Sequence, residues 1–176
     1  MKPPGIAIGL LAVLFGLAGP VGADMAIDES AHESFPSADH VVVHKAARRL
    51  DLMRGGELLR SYPIALGRNP EGHKEREGDQ RTPEGTYRLD RRNPYSAFYL
   101  AMRVSYPNAE DLRRARARGH HPGNNIMIHG LPNEPRHRSE DYLRGDWTDG
   151  CIAVSNSAMI DIWLSVADET PITILP

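Results

Sequence analysis

The chain has 176 residues, the length of a single globular domain, and its 21 Lys and Arg residues nearly balance its 23 Asp and Glu residues, for a formal net charge of −2. This balance argues against a general nucleic-acid-binding protein, because such proteins carry a clear excess of basic residues. Cys151 is the only cysteine, so apolar side chains have to stabilise the domain without internal disulfides.

The first 23 residues have the pattern of an export signal. Lys2 supplies a positive charge, the uncharged run Ile6–Leu17 follows, and Val21-Gly22-Ala23 offers the small residues of a signal peptidase site. The apolar run is shorter than the ~18 residues expected of a membrane-spanning helix, and an uncleaved anchor is the alternative. We expect a periplasmic protein in which residues 24–39 form a flexible segment and residues 40–176 form one domain.

Strands are predicted at the start of this domain. Residues 41–44, 50–53 and 58–65 are rich in branched and aliphatic side chains, and the Gly-Gly pair at 55–56 predicts a hairpin turn with positive φ. Residues 68–85 are rich in Gly, Pro and charge. A loop of this length in a compact domain is usually functional or disordered.

The next segments alternate between strand and helix patterns. Residues 86–90 and 97–106 continue the strand pattern. Asn108 is a predicted N-cap, because acidic residues follow it in the first turn of a helix whose last turn is crowded with arginines. Residues 124–130 predict a short buried strand that brings His129 to its end.

The remaining residues predict a polar loop, a helix and a strand. The loop covers residues 130–145, Ser155 or Asn156 caps a helix that runs to about Val166, and residues 170–176 form the last strand. The predicted fold class is therefore α+β, mainly β, with mixed β-sheets and two short helices, and not the regular alternation of a doubly wound fold.

Cys151 is the first candidate for chemistry. A free cysteine is often a small buried hydrophobic residue, which is the plain alternative. Export, however, would expose the thiol to oxidation, and the preceding Gly150 permits close approach of backbone or substrate. The position between a loop and a strand-like run is also partly exposed, as reactive cysteines are.

His129 is the best candidate for a base. A cysteine nucleophile needs one, because an ordinary thiol pKa of about 8.5 leaves little thiolate at neutral pH. His129 ends a buried strand and precedes Gly130, so its ring can face an open edge. A histidine satisfied within the core is the alternative.

At this point the motifs resemble a known family. The stretches "IMIHGLPN" and "GDWTDGCIAVSN", preceded by "LGRNPEGHKEREGDQRTPEGTYRL" and "SYPNAEDLRRA", are similar to the YkuD-type L,D-transpeptidases of bacterial cell walls over about residues 40–176. The family motif is a histidine and then Ser/Thr-x-Gly-Cys, here His129, Thr148, Gly150 and Cys151. The "TPEG" run fits the family's Thr-Pro-x-Gly signature.

Two positions depart from the commonest family pattern. Asp149 stands where histidine is often found, and Ala153 stands where asparagine or arginine is often found. The motif therefore leaves the donor and the acceptor open.

The resemblance implies a chemistry for these residues. Cys151 attacks the carbonyl of the third residue of a peptidoglycan stem tetrapeptide and expels the terminal D-alanine, and His129 moves the proton. Backbone N–H groups of Gly150 and Cys151 hold the oxyanion. Thr148 and the Gly130 backbone orient the imidazole. The expected substrate-binding residues are Gly130, Trp147, Asp149 and Ile152.

The resemblance also implies partners. The thioester passes to diaminopimelate of another stem, which gives a 3-3 cross-link, to a lysine of a wall-anchored lipoprotein, or to water. Hydrolysis by the same site would make the protein an L,D-carboxypeptidase or amidase. No metal, organic cofactor or nucleic acid is required.

Other interpretations stay open from the sequence alone. A zinc peptidase could use His120, His121, His129 and His137, although no HExxH pattern is present. A non-catalytic wall-binding module is a further alternative. The arginines at 113–118 fit a solvated helix face or a site for substrate carboxylates, and Lys74, Arg76 and Arg81 share that ambiguity.

Overall fold

The computed structural model describes Met1 and residues 37–176. The predicted signal at residues 1–23 and most of the segment at residues 24–39 fall outside these residues, so both stay predictions. Every element described below lies within the unit Ser34–Pro176. No helix in the described part of the chain is both long and apolar enough to cross a membrane.

The described residues form eight strands, two α-helices and one 3-10 helix. In chain order they are β1 (His40–His44), β2 (Arg49–Arg54), β3 (Glu57–Pro63), β4 (Gly85–Ser96), β5 (Tyr99–Val104), α1 (Ala109–Ala117), β6 (Met127–His129), the 3-10 helix (Ser139–Leu143), β7 (Ile152–Ala153), α2 (Asn156–Ser165) and β8 (Thr170–Leu175). The strands make one sheet in the order β3-β2-β1-β8-β4-β5-β6-β7. The pairs β1–β8 and β6–β7 are parallel and the others antiparallel, which confirms the predicted mainly β fold with two helices.

The hairpin between β2 and β3 turns at the predicted Gly-Gly pair. Gly55 and Gly56 join β2 to β3 with φ angles of +58° and +85°, a conformation that glycine adopts without steric cost. The same turn is tied to the start of the domain, because the Gly55 N–H donates to the Asp39 carboxylate at 2.7 Å.

Strand β4 is longer than the sequence pattern predicts. The predicted strand ended at residue 90, and Pro94 lies beyond that end. The structure continues the strand to Ser96, since residues 89–96 pair with β5 while β8 pairs only with residues 85–89. The outer half of β4 is thus paired on one side, where a proline is tolerated.

Both helices begin at predicted caps. The Asn108 Oδ1 accepts hydrogen bonds from the Glu110 and Asp111 backbone N–H groups at 2.9 and 3.0 Å. The Asp111 carboxylate accepts from the Asn108 N–H in return at 2.9 Å, which completes a capping box. For α2 the cap is Ser155, whose Oγ accepts from the Ala158 N–H at 3.1 Å.

The hydrophobic core joins the sheet to α2. Val41, Leu89 and Ile172 from three strands are fully buried together with Met159 and Ile162 of the helix. Burial of side chains of this size contributes about 1.5–3 kcal/mol each relative to exposure, and therefore fixes the strand faces on which the site is built.

Asp111 is a buried carboxylate on which the first helix depends. Besides the Asn108 N–H it accepts the Tyr87 hydroxyl at 3.1 Å and faces the His73 Nε2 at 3.1 Å. We expect Asp111→Ala to lower the free energy of unfolding by about 2–3 kcal/mol, because its partners lose a buried acceptor. Glu110→Gln, at a half-exposed surface position, should change it by at most about 0.5 kcal/mol. Urea denaturation measures both, and equal losses would contradict the assignment.

The same variant has a pH signature. Burial raises the pKa of Asp111, but hydrogen bonds from His73, Asn108 and Tyr87 outweigh burial and hold the pKa below its ordinary value of 3.8. The carboxylate therefore stabilises the fold above its unfolded pKa, and this stabilisation is lost as the pH falls through the folded pKa. The difference between wild type and Asp111→Ala should shrink below about pH 4.

Candidate active site

The register of two short strands brings the predicted nucleophile and base to one face of the sheet. Strand β6 pairs with β7 in parallel, with Ile128 opposite Ile152 and His129 opposite Ala153. Both isoleucines are fully buried. Because side chains alternate along a strand, His129 and the residue before β7, Cys151, emerge on the other face. Together they line a cleft of about 590 Å³.

His129 is held as a neutral imidazole with a defined tautomer. Its Nδ1 lies 2.6 Å from the Gly130 carbonyl oxygen, which can only accept, so Nδ1 carries the hydrogen and Nε2 keeps its lone pair. Burial lowers the pKa of His129, and the bond to Gly130 only partly opposes this effect. The imidazole is therefore in its basic form at neutral pH.

Two aromatic rings fix the plane of the imidazole. The Phe98 ring centroid lies 4.6 Å from the His129 ring, and the Trp147 ring meets it edge-on at 5.8 Å. The Trp147 Nε1 donates to the Tyr142 carbonyl oxygen at 2.9 Å, which anchors the indole. Trp147 forms part of the cleft wall, in the place predicted for it, whereas the contact of Phe98 with His129 was not predicted.

Thr148 has a different role from the predicted one. Its buried hydroxyl donates to the Cys151 carbonyl oxygen at 2.8 Å and accepts the Gly150 N–H at 3.1 Å. It therefore holds the turn that carries Cys151, and the Gly130 carbonyl alone makes the predicted bond to the imidazole. Because the Gly150 N–H is already bound, the expectation that it faces an oxyanion is corrected.

Gly150 is required by the close approach of another backbone segment. Its φ is +127°, and a Cβ there would lie 2.6 Å from the Arg81 carbonyl oxygen. A Cβ on Gly67 would lie 2.1 Å from the Gln80 carbonyl oxygen and 3.0 Å from the Gly150 Cα. The loop at residues 68–85 thus packs its main chain against the cysteine turn, and its Thr82 side chain is fully buried.

The Cys151 thiol is half-buried and protonated at neutral pH. Its Sγ donates to the Asn125 carbonyl oxygen at 3.5 Å, a partner that the sequence did not indicate. Burial raises the pKa of Cys151, and the Asp149 charge adds to this effect, while the Met127 N–H and the Lys74 charge oppose it. At neutral pH the cleft is therefore lined by a protonated Cys151 thiol and a neutral His129 imidazole.

The other predicted binding residues lie at different depths. Asp149 is at the exposed rim of the cleft, where its Oδ1 accepts from the Arg68 Nη1 at 2.6 Å. Ile152 is corrected, because its side chain is sealed in the hydrophobic core and only its backbone could reach a substrate. Gly130 is buried behind His129, and a Cβ there would lie 2.6 Å from the Asn156 Oδ1.

Most of the remaining charged candidates are engaged elsewhere. Arg113 and Arg114 bind Glu110 on the surface of α1, and neither lines the cleft. Lys74 is buried, with its Nζ 2.8 Å from the Asp79 Oδ1. It lines a second cavity of about 400 Å³, which shares Asn125, Asp149 and Cys151 with the cleft.

The histidines of the zinc alternative do not converge. His121 pairs with Glu77 at 3.1 Å, and His137 packs against the Tyr142 ring, while His129 lies in the cleft. Within residues 37–176, no group of three or more His, Cys, Asp or Glu side chains is arranged to hold a metal ion.

The Thr148 hydroxyl should be needed for both stability and the site. Thr148→Val leaves the buried Gly150 N–H and the Cys151 carbonyl oxygen without this partner, which costs about 1–3 kcal/mol of unfolding free energy. Thr148→Ser keeps the hydroxyl and should retain most of the stability. Urea denaturation compares them, and a Val variant as stable as wild type would contradict the role.

The protonation of the thiol is testable by alkylation. In native protein the rate of Cys151 modification by iodoacetamide should rise with pH to a midpoint above the ordinary thiol pKa of about 8.5, because burial disfavours the thiolate. Urea-unfolded protein supplies the control midpoint. We expect His129→Gln to slow the reaction at neutral pH by removing the base. A native midpoint below the unfolded one would instead indicate a preformed ion pair.

Comparison with known proteins identifies the family. The YkuD family model, an L,D-transpeptidase catalytic domain, matches residues 38–174. YafK of Escherichia coli (strain K12), named as a candidate L,D-transpeptidase, is 39% identical over 97 residues, which cover 52% of this chain and 37% of YafK. The chain thus spans well under half the length of this curated relative.

Solved structures show the same fold. The helical cell shape determining protein Pgp2 from Campylobacter jejuni has a TM-score of 0.59 and 26% identity, with 77% of this chain and 46% of that chain covered. Bd1075 from Bdellovibrio bacteriovorus has a TM-score of 0.56 and 27% identity, with 79% and 48% covered. The L,D-transpeptidase from Xylanimonas cellulosilytica, at 16% identity and a TM-score of 0.51 over 79% and 61%, supports the fold alone. The chain belongs to the YkuD family of L,D-transpeptidase catalytic domains.

Proposed function

We propose that this chain is an exported cysteine acyl-transferase that acts on peptidoglycan stem tetrapeptides through a thioester on Cys151. The observation that best supports this proposal is that the Cys151 thiol and the His129 imidazole line the same cleft. The Gly130 carbonyl holds the Nδ1 hydrogen of His129, which leaves the Nε2 lone pair to accept a proton.

The first half of the reaction forms the acyl-enzyme. The thiol proton moves to the His129 Nε2 as the Cys151 sulfur bonds to the carbonyl carbon of the third stem residue. The tetrahedral intermediate then breaks its bond to the D-alanine nitrogen, and His129 returns the proton to that leaving amine. Because both groups rest in their neutral forms, the thiol proton has to be transferred to His129 for the attack to occur.

The oxyanion is assigned to the Cys151 N–H. The Gly150 N–H donates to the Thr148 hydroxyl, so the next amide along the turn is the donor that we place at the developing charge. The Thr148 hydroxyl holds the turn through two hydrogen bonds, one from the Gly150 N–H and one to the Cys151 carbonyl oxygen. A preorganised donor of this kind contributes about 3–4 kcal/mol to the barrier reduction in other acyl-transfer enzymes.

The second half of the reaction releases the acyl group. An amine attacks the thioester carbonyl, the carbon–sulfur bond breaks, and the amine proton returns to the thiol through His129. Diaminopimelate of another stem gives a 3-3 cross-link, a lysine of a wall-anchored lipoprotein gives an attached protein, and water gives a trimmed stem. All three products share the Cys151 acyl-enzyme.

We further propose that the protein acts in the periplasm. The charged, apolar and small-residue pattern of residues 1–23 supports export, and the family acts on peptides of the cell wall. The structural relative Pgp2 is named for its effect on helical cell shape, which favours a role for this chain in wall remodelling as well.

Intact-mass spectrometry tests the acyl-enzyme. Incubation with a stem tetrapeptide should add the mass of the tripeptide acyl group to wild-type protein, and a carbapenem should also form an adduct. Cys151→Ala and Cys151→Ser should give no adduct and no turnover while they unfold at the same urea concentration as wild type. Wild-type rates in Cys151→Ala would refute the nucleophile, and tight binding without an adduct would identify a non-catalytic module.

Mass spectrometry of the muropeptide products then separates transfer from hydrolysis. Dimers that join two third residues are expected for the transferase. Trimmed stems without dimers would assign the same site to an L,D-carboxypeptidase.

A further inference from the structure

The rim of the cleft carries an ion pair that stability does not explain. Arg68 and Asp149 are joined at 2.6 Å, although their side chains are 53% and 80% exposed. Ion pairs with this exposure contribute little to folding, because water and salt screen them and both side chains lose freedom. Because the pair contributes little to folding, we look for its role in its location at the rim of the cleft.

The backbone of both residues is fixed by the site itself. The Arg68 N–H donates to the Thr148 carbonyl oxygen at 3.0 Å, and Gly67 makes a parallel bridge to Thr148. Asp149 lies between Thr148 and Gly150, in the turn that the Thr148 hydroxyl holds. The backbones of Arg68 and Asp149 are thus fixed by contacts with the turn that carries Cys151, while their side chains face solvent.

The rest of the cleft carries no comparable charge. Among the described residues that line it, Arg68 is the only Lys or Arg and Asp149 is the only acid. The apolar side chains of Phe98, Met127 and Trp147 lie in the same lining. A ligand that fits this surface has an aliphatic stem and, at the end of that stem, one positive and one negative group.

We propose that the Arg68–Asp149 pair binds the zwitterionic side-chain end of a diamino acid of the diaminopimelate class. This inference rests on the proposed function and names the chemistry that the site recognises. The carboxylate binds the forked donors of Arg68, the ammonium binds Asp149, and the methylene stem lies along the apolar lining.

The paired charges also discriminate against singly charged ends. A side chain that ends in an ammonium alone meets Asp149 but also the unopposed charge of Arg68. A side chain that ends in a carboxylate alone meets Arg68 but is repelled by Asp149. Only the zwitterion replaces the internal ion pair with two new ones, so loss of either ligand charge should cost about tenfold or more in binding.

Three tetrapeptide donors of nearly equal size test the proposal. They carry diaminopimelate, diaminopimelate with its side-chain carboxyl amidated, or diaminopimelate with its side-chain amine acetylated, at the third position. We expect wild-type acylation, measured as kcat/KM by intact mass, to favour the first over each of the others by about tenfold. Arg68→Gln should remove the preference over the amide, and Asp149→Asn the preference over the acetylated donor.

Ratios between donors, and not absolute rates, are the readout. Asp149 also raises the pKa of Cys151, so Asp149→Asn changes the reactivity of the thiol towards every donor by a common factor. The matched control is Arg113→Gln, which removes an exposed, ion-paired arginine on α1 and should leave all ratios at their wild-type values.

A second arm separates the donor stem from the acceptor stem. Preformed acyl-enzyme is mixed with an amine acceptor that carries diaminopimelate or its carboxyl amide, and transfer is followed by loss of the adduct. Preference during acylation assigns the pair to the donor, and preference only during transfer assigns it to the acceptor. Either result, abolished by Arg68→Gln, supports the proposal.

The proposal and the proposed function fail differently. Recognition by the pair would be overturned if the wild-type ratios were near one in both steps. It would also be overturned if Arg68→Gln left the ratios unchanged or slowed the reaction of every donor equally. In each case an adduct would still demonstrate the acyl-transfer chemistry. Absence of an adduct with every donor would overturn the proposed function on which the inference rests.

Discussion

The parallel register of β6 and β7 is the constraint on which the whole site depends. Ile128 and Ile152 lie opposite each other and fully buried, and this shared burial places His129 and Cys151 together on the opposite face. A slip of one residue would exchange the two faces and turn the imidazole into the core. The hydrophobic effect, acting on two isoleucines, therefore decides which polar side chains can meet.

Close contact between main chains supplies the second constraint. The loop at residues 68–85 approaches the cysteine turn so closely that neither Gly67 nor Gly150 has room for a Cβ. The Thr148 hydroxyl ties the same turn internally, and Thr82 of the loop is fully buried. Backbone contacts and the Thr148 hydroxyl thus hold the turn that carries Cys151. The exposed charges at the rim of the cleft take no part in these contacts.

Local patterns in the sequence predicted those features that depend on neighbouring residues. The Gly-Gly hairpin was predicted because glycine adopts positive φ, and the structure has this turn. The caps at Asn108 and Ser155 were predicted because each side chain bonds a backbone N–H within three residues, and both caps are present. The family motif led to Cys151 and His129. The contacts of Phe98 and Asn125 were missed, because they arise from segments that only the folded sheet brings to the site. Thr148 was correctly singled out but given the wrong partner, since spacing does not show where a hydroxyl points.

The neutral forms of Cys151 and His129 also affect how the thiol reacts with oxidants. Peroxide and other adventitious electrophiles react with the thiolate form of cysteine, and the raised pKa of Cys151 keeps that form scarce. In the reaction proposed above, the sulfur becomes strongly nucleophilic only when Nε2 of His129 removes the thiol proton during attack on the substrate carbonyl. If the proposed reaction is correct, the single thiol is protected from oxidation while no substrate is bound, because its reactive thiolate form is scarce in the free protein.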